Sequence, residues 1–130
     1  MRKEQTVVIF VATSKRFYEE AEQFVNRLVQ SGITVHHPYF HLDPRAVDAD
    51  PEIKSAVTLD HFPEIDESDI VYALLPEGYI GCSVTIELTY GYAKGKRIVA
   101  SEQPREFAVR PMISEICDTM HFLDRFRKAR

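Results

Sequence analysis

The sequence predicts a three-layer α/β domain built on a wound parallel sheet of four to five strands. Three observations predict it. Short continuous apolar runs, Val7 to Ala12 and Ile70 to Leu75, read as strands covered on both faces. Between such runs lie longer stretches with apolar residues at helical spacing. The two kinds of segment alternate along the chain, and alternation of this sort gives parallel strands joined by right-handed crossovers.

Each element follows in order. VVIFVA opens the sheet, and Thr13 and Ser14 end the run and can cap what comes next. Phe17, Ala21, Phe24, Val25 and Leu28 recur at helical spacing between charged residues, and Gly32 supplies the left-handed stop. Ile33 to His37 is a second short strand. Pro38 to about Thr58 carries prolines and the acids Asp43, Asp48, Asp50 and Glu52, and reads as a long loop with one short helix at most. A helix over Leu59 to Ser68 leads into the third strand. Pro76 to Gly81 is a turn-rich loop, and a helix runs from Ser83 to about Lys94, closed by Gly95. Arg97 to Ala100 is the fourth strand. Pro104 to Arg110 is a connection, Pro111 to Cys117 a helix, and the chain ends in one further strand or helix. The order is Rossmann-like or flavodoxin-like, and ligands in such sheets bind outside the carboxyl ends of the strands. Thr13 and Ser14, the loop after His37, and Gly78 to Glu87 should therefore surround one crevice.

Composition narrows the function classes. The chain has 130 residues, 45% hydrophobic and 28% charged, which suits one ordinary folded domain over 1–130 and argues against disorder. The formal net charge is -4, without the basic excess of a nucleic-acid binder. Arg125, Arg127, Lys128 and Arg130 read as a solvated helix end. The segment from Met1 to Thr6 is polar and the apolar run after it is only strand-length, unlike a signal peptide. No run approaches the roughly 20 apolar residues of a membrane span. Two cysteines, Cys82 and Cys117, lack pairing or zinc spacing, and Cys82 reads as a small buried apolar residue. A cytoplasmic protein with reduced thiols, no membrane and no nucleic acid is the expectation.

Glu87 is the sharpest candidate. It sits about one turn into the helix that follows the Gly-bracketed loop, among Val84, Ile86 and Leu88. A carboxylate near a helix N-terminus is favoured as the anion and can serve as nucleophile or electrostatic stabiliser. The competing reading is a capping Glu or an ion-pair partner. Asp60, Asp66 and Asp69 cluster before the third strand. Asp60 can cap a helix or form an acid/base pair with Glu87, while Asp69 can terminate the helix ahead of it. Thr13-Ser14-Lys15-Arg16 can hold a phosphate with hydroxyls and backbone amides. There is no G-x-G-x-x-G and no Walker loop, so dinucleotide oxidoreductases and nucleotide triphosphatases lose support. His36, His37 and His41 invite a metal, but adjacent strand residues face opposite ways, and no ligand set emerges. The acidic loop lacks EF-hand spacing and reads as solvated. No G-x-S-x-G elbow is present.

The stretch opened by Asp69-Ile-Val-Tyr-Ala-Leu-Leu, followed by Ser83-Val-Thr-Ile-Glu87 and then Gly95-Lys96, resembles the nucleoside 2-deoxyribosyltransferase family, including the 2′-deoxynucleoside 5′-phosphate N-hydrolases. Phe10 to Ser14 resembles that family's opening segment, and the resemblance covers residues 7 to 113. It implies cleavage or transfer of a nucleoside or nucleoside 5′-monophosphate N-glycosidic bond, with Glu87 as nucleophile and no cofactor or metal. It implies that Asp60 handles the proton or a sugar hydroxyl. It implies that Phe10, Thr13, Ser14, Asp69, Gly81 and Ser83 shape the sugar or 5′-phosphate site. Arg110 falls near a position that reaches a neighbour's phosphate, and a homodimer or larger assembly is implied. The chain has Phe10 where the family has a tyrosine and Thr13 where it has a turn glycine. Those departures support a second reading, a non-catalytic nucleotide-binding or sensing domain on the same scaffold.

Overall fold

The computed structural model describes residues 7–41 and 50–126. Strand β1 (Val8–Thr13) leads through a 3₁₀ turn at Lys15–Phe17 into helix α1 (Tyr18–Gln30), and β2 (Thr34–His36) follows. Helix α2 (Pro51–Asp66) precedes β3 (Ile70–Leu74), and helix α3 (Cys82–Ala93) precedes β4 (Arg97–Ala100). A 3₁₀ segment at Phe107–Met112, strand β5 (Glu115–Ile116) and helix α4 (Thr119–Asp124) complete the order.

All pairings are parallel, and the strand order is β2-β1-β3-β4-β5. The chain lays β2 on one side of β1 and every later strand on the other. The switch point falls between the carboxyl ends of β1 and β3, where Thr13 sits opposite Leu74. A crevice opens at such a point because the two connections leave in opposite directions.

Successive strand residues point to opposite faces, so β1 feeds two cores. Ile9 and Val11 pack with Ala21, Phe24, Val25 and Leu28 of α1 and with Phe122 and Leu123 of α4. Phe10 and Ala12 pack with Ile65 of α2 and with Val84 and Leu88 of α3. Burial on both faces is why VIFVAT is apolar throughout.

Three differences from the sequence-based expectation have physical causes. Helix α2 begins at Pro51 rather than Leu59. Asp50 accepts a hydrogen bond from the Glu52 N–H at 2.9 Å, and Pro51 has no N–H to lose, so Asp50, though exposed as expected, is a helix cap rather than a loop residue. Asp43 and Asp48 lie outside the described residues, as do Arg127, Lys128 and Arg130. The segment Pro111 to Cys117 is not a helix: a 3₁₀ turn ends at Met112, Ile113 is extended, and Glu115 and Ile116 pair with Val99 and Ala100. Both a strand and a helix follow the fourth strand. Cys82 is exposed, because it opens α3 rather than packing under it, whereas Cys117 is buried.

The loop after β3 is set by backbone strain. Glu77 and Gly78 have φ of 60° and 76°, and a Cβ on Gly78 would lie 2.7 Å from the Gln103 carbonyl oxygen. Only glycine fits there. This turn delivers Tyr79 to Gly81 to the head of α3. Among the described residues, no helix is long and apolar enough to cross a membrane.

Candidate active site

A cleft of about 220 Å³ lies at the switch point. Its walls are Thr13 at the end of β1, Ser14 and Lys15 after it, Tyr18 of α1, Pro38 after β2, Lys54, Val57, Thr58 and His61 on one face of α2, and Tyr79, Gly81 to Val84 and Glu87. Gly81 is the N-cap of α3 and offers no side chain to the first-turn amides. The positive end of a helix of this length therefore meets the cleft without a side-chain cap.

Glu87 shares the inward stripe of α3 with Val84 and Leu88, and it is only 3% exposed. A buried carboxylate needs a partner. It has one in His61, whose Nδ1 is hydrogen-bonded to Glu87 Oε2. His61 is 5% exposed and projects from α2 one turn before the core residue Ile65. Its ring packs against Phe10 at 5.3 Å and Tyr39 at 6.1 Å between centroids. His61 Nε2 is buried and has no hydrogen-bond partner among the described residues.

The electrostatics treat these side chains as one unit. Burial pushes the Glu87 carboxyl above its ordinary value, and the hydrogen bond and charge of His61 offset only part of that. Burial pulls the His61 imidazole down, but the Glu87 hydrogen bond and charge, helped by Glu64 and Asp60, carry it above its ordinary value. Both shifts run upward, and each contains the hydrogen bond and charge of the other group, so the two titrate as a coupled pair. The phenol of Tyr18 is pushed up to about 12 by burial and by the charge of Glu87. It stays a protonated donor in the cleft wall.

The sequence-predicted residues divide between cleft and scaffold. Glu87, Ser14, Gly81 and Ser83 line the cleft. Thr13 lines it too, but its hydroxyl donates to the Leu74 carbonyl at 2.9 Å and ties β1 to β3. Phe10 is fully buried beneath the cleft and touches it through His61. Asp60 is exposed, inside α2 rather than at its start, and accepts from the Tyr39 hydroxyl at 3.3 Å. It is not a wall of the cleft. Asp69 does not cap a helix; it accepts the Val8 N–H at 2.9 Å at the amino end of β3, the end opposite the cleft. Arg110 donates to the Pro104 carbonyl at 2.8 Å and stacks on Phe107 at 4.0 Å, also outside the cleft wall.

The clustered histidines are spread over separate partners. His36 meets Glu67 at 3.1 Å, His37 stacks on Phe40, and His41 meets Glu22 at 2.8 Å. No group of three or more metal-ligating side chains gathers among the described residues.

Sequence reasoning missed His61, Tyr18 and Tyr79. The available trace was the helical spacing of His61, Ile65 and Ser68, all buried within an otherwise acidic segment. Nothing in that spacing says that His61 faces a glutamate 26 residues later.

A doubly wound α/β domain with a buried carboxylate at its switch-point cleft is the class that fold and site define. No protein-family model and no curated protein matches the sequence. Solved structures do match in fold. A conserved protein from Enterococcus faecalis V583 aligns with a TM-score of 0.69 at 17% identity, over 94% of this chain and 98% of that one. A 2-deoxyribosyltransferase from the psychrotolerant bacterium Bacillus psychrosaccharolyticus aligns with a TM-score of 0.63 at 18% identity, over 91% of each chain. The chain thus shares the fold of a 2-deoxyribosyltransferase across nearly all its length, as the sequence resemblance implied.

Proposed function

We propose that this chain cleaves or transfers the N-glycosidic bond of a nucleoside or nucleoside 5′-monophosphate, with Glu87 as the attacking carboxylate. The observation that carries the reading is a buried glutamate one turn inside α3, on the wall of the switch-point cleft. In the first step a Glu87 oxygen bonds to C1′ of the sugar as the C1′–N bond breaks. The bonding pair leaves with the base, which takes up a proton from solvent. In the second step water, or another base, attacks C1′, gives up a proton to solvent and releases the carboxylate. Both transition states resemble an oxocarbenium ion, which an adjacent anion stabilises. The chemistry requires no metal or organic cofactor.

Support for a 5′-phosphate comes from Lys15, Lys54, Ser14 and the uncapped head of α3, all on the same cleft. We read 1–130 as one such domain, cytoplasmic and active as a homodimer or larger assembly. Asp60, Asp69 and Arg110 have scaffold contacts that account for them without substrate. A second reading is nucleotide binding without chemistry. The burial of Glu87 and its engagement by His61 favour it, because a held carboxylate can be structural.

The test is base release from ribo- and deoxynucleosides and their 5′-monophosphates, by wild type and Glu87→Ala, with and without an acceptor base. Release by the wild type should fall by at least about a thousandfold in the variant. A product that appears only with acceptor defines a transferase. Folded wild-type protein that binds nucleotides yet releases no base would leave the second reading standing.

A further inference from the structure

The His61–Glu87 contact has a role beyond keeping a buried carboxylate solvated. Two features of its geometry matter. First, the imidazole holds one oxygen, Oε2, and leaves Oε1 without that bond. Second, the imidazole is itself fixed: α2 carries it, and Phe10 and Tyr39 flank its ring. A carboxylate held through one oxygen by a fixed donor cannot rotate about its last torsion without losing that bond. Such restriction is how a nucleophile is kept near its line of attack.

We propose that His61 is the positioning residue of this site, fixing Glu87 through Oε2 so that Oε1 is presented to the sugar. Because one hydrogen bond joins the two groups, the protonation of each depends on that of the other. This rests on the reading of Glu87 as nucleophile. Phe10, which has no hydroxyl, supplies the ring contact, and His61 supplies the polar one.

The unit does not titrate in isolation. From α2, the charges of Glu64 and of the solvent-exposed Asp60 favour the His61 cation, and Glu64 also pushes the Glu87 carboxyl up. Tyr18 of α1 feels the Glu87 charge, and Tyr39 packs on the ring from the segment after β2. Lys15 and Lys54 line the same cleft. The rate requires ionised Glu87, so it falls as pH drops through the lower step of the pair. Removing His61 while keeping the burial removes what holds the carboxyl down, so that step should move to higher pH.

The experiment combines kinetics with a titration that needs no turnover. Base release is measured from about pH 4 to about pH 9 for wild type, His61→Asn and His61→Leu, beside thermal unfolding of each. Asparagine keeps an N–H near the position of Nδ1 and removes the second titration. We expect kcat to fall about a hundredfold in His61→Leu, with KM changed much less and the acid limb displaced upward. In His61→Asn, kcat should recover to within about tenfold of wild type, with a single step in the profile. In parallel, the His61 ring nitrogens are followed by NMR in wild type and Glu87→Gln, assigned through the missing signals of His61→Asn. With the Glu87 charge gone, burial is opposed only by Glu64 and Asp60, and the imidazole should titrate at lower pH than in wild type.

Wild-type kcat and pH profile in folded His61→Leu overturns the proposal, and so does a His61 titration that ignores Glu87→Gln. Should His61→Leu not fold, His61→Asn and the Glu87→Gln titration decide. Wild-type protein inactive on every substrate overturns the reading of Glu87 as nucleophile, whereas the NMR arm still upholds or overturns the coupling of His61 to Glu87.

Discussion

Gly91 is where α3 presses closest on the sheet. A Cβ there would lie 2.9 Å from Val71 Cγ2 and 3.3 Å from Ile98 Cδ1. Alanine in a helix interior gains about 1 kcal/mol over glycine. Overpacking a filled core costs about 1–3 kcal/mol, and Val71, β-branched and within a strand, cannot swing aside cheaply. The steric term should win. Gly91→Ala is expected to lower the melting temperature by about 3–5 °C, a net loss near 1 kcal/mol for a domain of this size. A variant as stable as wild type would mean that α3 lifts off the sheet without penalty. The same residue scale shows what a sequence can and cannot reveal about a site. Glu87 was legible because its surroundings are local: a glycine-bracketed loop, a helix start, apolar neighbours. His61 was not, because its significance lies across the fold in another helix. Asp60 drew attention as a carboxylate, yet in α2 it points to solvent while the next residue meets Glu87.

At the scale of elements, β5 is the least self-sufficient piece. It has only two residues and one neighbour strand. Glu115 clamps it: one oxygen accepts from Arg97 of β4 at 2.7 Å, and both oxygens engage Arg125 just after α4. Hydrogen bonds from Arg125 and then Arg97 hold the Glu115 carboxyl down at about 2. A carboxyl whose folded pKa is depressed contributes stability above its unfolded value and loses it as pH falls toward the folded one. Glu115→Gln should therefore melt below wild type at neutral pH, with the gap closing between the ordinary carboxylate range and about pH 2. The site is exposed to solvent, so the gap should be small and shrink with salt. A gap that persists unchanged into acid would assign the effect to packing instead. This clamp also explains why β5 was illegible. Two residues carry no periodicity, and Pro111 looks like the first residue of a helix. Pairing with β4 made the strand, and that pairing is not local. The early start of α2 was legible in principle, since Asp50-Pro51 is a cap followed by a favoured first residue. It was obscured by the acidic, proline-bearing stretch around it.

For the whole molecule, alternation of apolar runs and helical stretches was enough to give layers, parallel strands and the end of the sheet where the cleft opens. Strand order was not given by alternation, because each crossover can land on either side of β1 and packing decides which. The observed switch between β1 and β3 brings Ser14, Lys15, Lys54 and the head of α3 onto one cleft, so the phosphate site proposed above is one that only the assembled domain can form. A ligand that binds only the folded state raises its stability by about 2.7 kcal/mol at a hundredfold excess over Kd. If the 5′-phosphate adds about tenfold in affinity, it adds about 1.4 kcal/mol at equal ligand concentration. That is several degrees for a chain of this size. Thermal shift with a nucleoside 5′-monophosphate should therefore exceed that with the parent nucleoside, most clearly at low salt. Lys15→Met combined with Lys54→Met should bring the two shifts together while leaving the response to the nucleoside in place. Equal shifts in the wild type would move the phosphate out of this cleft and leave a nucleoside as its ligand. A selective loss in the double variant would tie the charge of the cleft to the anionic end of the substrate, on the same wall that carries Glu87.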